Sequence, residues 1–156
     1  MAQMGLAVPA STNHLFAIFF LGLLFSAPLR AEMPITQLNV SGHRLSVEIA
    51  HTEAARSKGL MFRHSMGAND GMLFIFPRPG NYGMWMMNTH IPLSVAFVDE
   101  KGAILNIENM TPNTTDAHRS DGAAKYAIET NIGWFARKKV KPGDRIMGLE
   151  KAPPAE

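Results

Sequence analysis

Two short segments open a period-two pattern of apolar and polar positions. ITQLNV (35–40) and RLSVEIA (44–50) alternate on either side of Ser41-Gly42-His43, which predicts a β-hairpin. TEAARSKG (52–59) breaks that period and predicts a short helix, with Thr52 as N-cap and Gly59 as left-handed terminator. MLFIF (72–76) is a short, wholly apolar run, and RPGN (78–81) behind it forces a turn. LSVAFVD (93–99) and AILNIENM (103–110) alternate around the turn DEKG, predicting the central hairpin of a sheet. A long polar loop, TPNTTDAHRSDG (111–122), precedes the strand YAIET (126–130), whose apolar pattern Glu129 interrupts. GWFARKK (133–139) reads as one or two helical turns, and KPGD (141–144) as a tight turn into RIMGLE (145–150). Many short strands and little helix predict a mainly β, single-domain antiparallel sandwich or barrel with one or two short helices.

The N-terminus follows a different logic. Leu15 to Phe25 is an unbroken apolar run of 11 residues, short of the ~20 that span a bilayer. The small, turn-prone SAPLRA follows it, so residues 1–31 read as a signal peptide cleaved after Ala31. The expected protein is exported, periplasmic or extracellular, and touches a membrane only if that segment stays uncleaved. Residues 32–150 form the β domain, and KAPPAE (151–156) a frayed tail. Without Arg30 the chain carries 14 basic and 13 acidic residues. With no basic stripe, nucleic acid is not an expected partner, and ARKKVK (136–141) reads as a solvated surface turn. The absence of cysteine excludes disulfides, thiol catalysis and thiolate metal sites.

Chemistry concentrates in YGMWMMNTHIPL (82–93). In an extended strand Met84 and Met86 share one face, where they could pinch a Cu(I) ion with His90 or His118 as third ligand. Nine methionines are spread over residues 33–147, however, and methionine is an ordinary filler of irregular cores. Core or pocket-wall packing is therefore the preferred reading, and no metal or cofactor is expected. The histidines show no zinc spacing, and neither a nucleophile elbow nor a phosphate-binding glycine loop is present. A polar cluster in an apolar frame is the stronger candidate. Glu129 needs a partner if it is buried, and Arg63 is the expected one because its fork grips a carboxylate in two places. Such a cluster reads first as a structural ion pair or hydrogen-bond network that fixes strand register. Its functional reading has Arg63, Asn88, Thr89 and Glu129 lining a pocket with Trp85 as aromatic wall, rimmed by Asp116 and His118 of the polar loop.

Six ordered blocks also carry a resemblance: GLMFR (59–63), GMLFIF (71–76), WMMNTHIPL (85–93), FVDEKGAI (97–104), AIETNIGW (127–134) and KPGDRI (141–146). Together they resemble the domain of unknown function 192 family over residues 35–149. That resemblance implies one mostly β, jelly-roll-like domain, often exported in bacteria, with no established biochemical role. It also implies an Asp where this chain has Ser94, and a polar residue where it has Met87. The expected function is non-catalytic binding of a small polar or glycan-like ligand, or of an envelope partner. The alternatives are an enzyme using Glu129 with Arg63, and periplasmic Cu(I) binding through Met84, Met86 and a histidine.

Overall fold

The computed structural model of the protein describes residues 33–156, so the signal segment expected over 1–31 lies outside the described residues. The first hairpin pairs β1 (Ile35–Val40) with β2 (His43–Ala50). Its two-residue turn is left-handed at both Ser41 (φ 49°) and Gly42 (φ 84°), the geometry that matches the natural twist of paired strands. Helix α1 (Glu53–Lys58) starts where Thr52 accepts a bond from the Ala55 amide and stops at Gly59 (φ 47°), both as the sequence predicts. β3 (Asp70–Gly80), β4 (Gly83–Met84), β5 (Leu93–Val98), β6 (Ile104–Met110), β7 (His118–Arg119) and β8 (Ala124–Asn131) follow. The chain ends through α2 (Trp134–Arg137), β9 (Ile146–Met147) and a 3-10 turn at Leu149–Lys151.

Seven strands form one curled sheet, a half-barrel, in the order β6-β5-β8-β3-β2-β1-β9, while β4 and β7 pair separately. The mainly β fold with two short helices agrees with the expectation from sequence. One pairing departs from an all-antiparallel sheet: β2 and β3 run parallel. Parallel neighbours need a crossover, and the connection carrying α1 supplies it. β3 also outruns the predicted MLFIF. It continues through Pro77 and Pro79, which cannot donate to a ladder, and its pairing with β8 breaks between Ile75 and Gly80. Lys125 bridges that gap by donating to the Phe76 and Pro77 carbonyls at 2.7 and 3.0 Å.

Both faces of the sheet are covered, which explains why MLFIF lacks alternation and why LSVAFV, read as alternating from the sequence, is buried at every position. Leu73, Ile75, Ala96, Val98 and Ile128 face one core, closed by Trp134, Phe135, Val140 and Leu149. Met72, Phe74, Phe76, Val95, Phe97 and Ala127 face the other, closed by Leu60, Met86, Ile91 and Met110 from the loops. The C-terminal residues expected to fray instead dock. Ala152 and Ala155 pack on the first core, and the Glu156 amide donates to the His51 carbonyl at 2.9 Å.

Candidate functional site

Glu129 and Ile128 are adjacent on β8, so they point to opposite faces of the sheet. Ile128 enters the α2 side, and Glu129 therefore takes the loop-covered side, between Met72 of β3 and Val95 of β5. There the sheet, the end of α1 and the segment 82–89 enclose a cavity of about 320 Å³, at the lower end of the usual range for small-ligand pockets. Its walls include Phe74, Phe76, Tyr82, Met84 and Trp85, with Glu129 and Thr89 as inner polar groups and Arg56 and Lys58 on the α1 side. Gly59 belongs to this wall because a Cβ there would meet the Phe74 ring at 3.2 Å. Trp85 is 53% exposed, an unusual placement for an indole unless it serves as a lip.

Glu129 is only 3% exposed, and its carboxyl has no ion-pair or hydrogen-bond partner among the described residues. Burial alone pushes its pKa up to about 8, because a carboxylate without donors loses its hydration and regains nothing. The side chain therefore stands protonated at neutral pH, able to donate one hydrogen bond and accept others.

The expected Arg63–Glu129 pair does not form. Arg63 Nη2 donates to Glu48 Oε2 at 2.5 Å, with both side chains partly exposed. The reason lies in the strand order. Glu48, Met72 and Glu129 are successive lateral neighbours across β2, β3 and β8, so Met72 separates the two carboxyls. An arginine arriving beside β2 meets Glu48 first, and it lines a different hollow with Ser46 and Asp70. The enzyme reading that coupled Arg63 to Glu129 loses its pair with it.

Other sequence candidates separate similarly. Thr89 is buried and lines the cavity, with its amide on the Met86 carbonyl. Asn88 is exposed and left-handed (φ 56°), and its carbonyl accepts from the Phe62 amide at 2.8 Å. It shapes the turn rather than the pocket. Asn88→Val should cost about 1–2 kcal/mol through that backbone angle, whereas Asn88→Gly should be nearly neutral. Urea denaturation of the two variants checks this. Asp116 and His118 do not line the cavity. Their loop instead backs the 82–89 wall, through β4–β7 pairing, the Met86 amide on Thr114 O at 3.0 Å and the Ser120 amide on Tyr82 O at 2.9 Å.

Of the copper candidates, Met84 and His118 are cross-strand partners in the β4–β7 pair, but Met86 and His90 do not join them. Met84 lines the cavity, Met86 is wholly buried in the core, and residues 85–86 leave the strand that would have aligned the two sulfurs. His90 bonds Asn113 at 3.1 Å and stacks on His64 with ring centroids 5.6 Å apart. Ser94 lies on the face opposite Glu129, donating to Asn109 Oδ1 at 2.6 Å and accepting from the Gly133 amide at 2.8 Å. The acid that the family resemblance implies at this position would thus sit at the start of α2, away from the cavity. Tyr82 and Phe76 were missed as wall residues. Their rings stack at 3.7 Å, and the one available signal was that Phe76 shares strand parity with Met72 and Phe74.

The DUF192 family model (Uncharacterized ACR) matches residues 36–148. Two solved structures are similar in sequence and shape. A proposed transcription regulator from Sinorhizobium meliloti 1021 is 35% identical with a TM-score of 0.73, the match covering 76% of this chain and 97% of that one. A protein of unknown function from Novosphingobium aromaticivorans DSM 12444 is 34% identical with a TM-score of 0.70, covering 77% and 89%. No curated protein matches the chain.

Proposed function

Because the chain belongs to the DUF192 family, whose description assigns no chemistry, we propose from the cavity itself that this protein is a non-catalytic binding domain for a small polar ligand. One observation carries the reading: a buried carboxyl without a protein partner opens into a cavity beneath an exposed tryptophan. A carboxyl that faces a cavity without a protein partner is free to bond a ligand that supplies one. Binding is preferred to catalysis because acid–base chemistry calls for a second poised group, and Arg63 is held by Glu48. The ligand class includes glycan-like molecules or a group presented by an envelope partner. Export through the apolar Leu15–Phe25 segment belongs to the same proposal.

A screen of monosaccharides, polyols, amino acids and amines by ¹⁵N–¹H correlation spectra tests the reading. Hits should shift the amides of residues 59–61 and 83–85, and Trp85→Ala should weaken them about tenfold while the fold persists. Hits that shift neither segment, or a screen with none, would overturn it.

A further inference from the structure

We propose that the ligand of the Trp85–Glu129 cavity carries an ammonium group, seated at the Glu129 carboxyl among the aromatic walls. This rests on the reading of the cavity as a binding site and names the chemistry it selects.

The lining decides between an ammonium and a plain polyol. Four aromatic residues, Phe74, Phe76, Tyr82 and Trp85, contribute to it, and the Phe76 and Tyr82 rings are held in a parallel stack with 9° between their planes. Aromatic walls with one carboxyl form the kind of cage that attracts a cation, through the ring quadrupoles and the acid together. The polar side chains of the same space are Arg56, Ser57, Lys58, Tyr82, Thr89 and Glu129. The Tyr82 hydroxyl already donates to the Arg78 carbonyl at 2.9 Å. The Arg56 guanidinium is occupied by the carbonyls of His51, Ile75 and Glu156. Thr89, whose hydroxyl donates to the Met87 carbonyl at 3.4 Å, and Ser57 are the uncharged hydroxyl side chains of the lining apart from Tyr82. A polyol placed against Phe74, Phe76 and Leu60 would set hydroxyls against apolar walls, whereas an ammonium on a compact apolar frame gathers its donors at one point, facing the Glu129 carboxyl and the ring faces.

Charge balance also works. Free, the carboxyl is protonated and the inner cavity neutral. When the ammonium arrives, that proton leaves to solvent and a neutral ion pair replaces a neutral acid. The other charges around Glu129 do not substitute for the ligand. On its own face of the sheet, Glu48 lies beyond Met72 and is neutralised by Arg63, and Glu108 lies beyond Val95. Arg56 and Lys58 make the α1 side cationic, so the far end of the ligand is neutral or anionic, as in a zwitterion.

Matched probes test this on the folded protein at pH 8: cyclohexylammonium, cyclohexanol and glucose, followed by ¹⁵N–¹H spectra and calorimetry. Cyclohexylammonium should shift the cavity amides and bind at least about tenfold more tightly than cyclohexanol. E129Q should abolish that preference. If E129Q fails to fold, Trp85→Leu, altered at an exposed position, should lose more affinity for the ammonium than for the alcohol. Equal affinities, or a preference that survives E129Q, would overturn the ammonium assignment. Binding of glucose at the cavity amides without the ammonium would end this inference and leave the binding-site reading standing. No response at those amides from any probe ends both.

Discussion

Glu129→Gln removes a large part of the pH dependence of stability between about pH 4.5 and 8. In the unfolded chain this carboxyl titrates near 4.5, and in the folded protein near 8, raised by desolvation. Between those values the folded state holds a proton that the unfolded state has released. Stability from this group is therefore fully present below the unfolded pKa and is lost as pH rises through the folded one. The slope approaches about 1.4 kcal/mol per pH unit inside the window, a few kcal/mol in all. Glutamine keeps the shape and the hydrogen-bonding capacity of the protonated acid but cannot ionise. The wild-type protein should thus lose stability steadily toward pH 8 while the variant stays nearly flat. Contributions from the rest of the chain are shared by both proteins and cancel in the difference. Urea denaturation midpoints across that range measure the effect. Parallel curves for the two proteins would mean that water or a donor already satisfies the carboxyl in the free state.

The burial of Glu129 was legible because an acid interrupting an apolar strand has nowhere else to go. Its partner was not. Period-two alternation says which face a side chain takes, but not which strands lie side by side. The parallel placement of β3 against β2 is a non-local choice made through the α1 crossover. It sets Met72 between Glu48 and Glu129, and so hands Arg63 to the nearer acid. The same limit explains Asn88. Its neighbours in sequence suggested a ligand-facing amide, but its positive φ spends the residue on a turn. Trp85 and Thr89 did reach the cavity, because the segment that holds them is fastened along its length by the polar loop. That loop was expected as a rim. Loop length and polarity reveal surface placement, whereas the bonds from Thr114 and Ser120 that make it a support depend on the folded path of both segments.

Trp134→Ala should destabilise the protein by about 3–5 kcal/mol, while Trp85→Ala should stay within about 1 kcal/mol of wild type. The two indoles differ in everything but residue type. Trp134 is 1% exposed, its Nε1 donates to Asn69 Oδ1 at 3.1 Å, and its ring meets Phe135 edge-on with centroids 5.3 Å apart. Removing it empties the core beneath the half-barrel and loses the hydrogen bond to Asn69 Oδ1, an exposed group that water can then satisfy. Trp134→Phe should recover much of the packing but not that hydrogen bond, leaving a residual loss near 1–2 kcal/mol. Trp85 has half its surface in water, so its truncation uncovers the cavity without opening a void in the core. Fluorescence separates the pair: Trp85→Ala should leave only the blue-shifted emission of a buried indole, and Trp134→Ala only that of an exposed one. Chemical denaturation of both variants then decides whether Trp85 is a lip or a brick. Comparable losses would make it part of the packed core, and a cavity whose lip holds up the fold could not be tested for binding through that residue. A small loss at Trp85 beside a large one at Trp134 means that the exposed indole is maintained for something other than stability, which is what a ligand-covering wall requires.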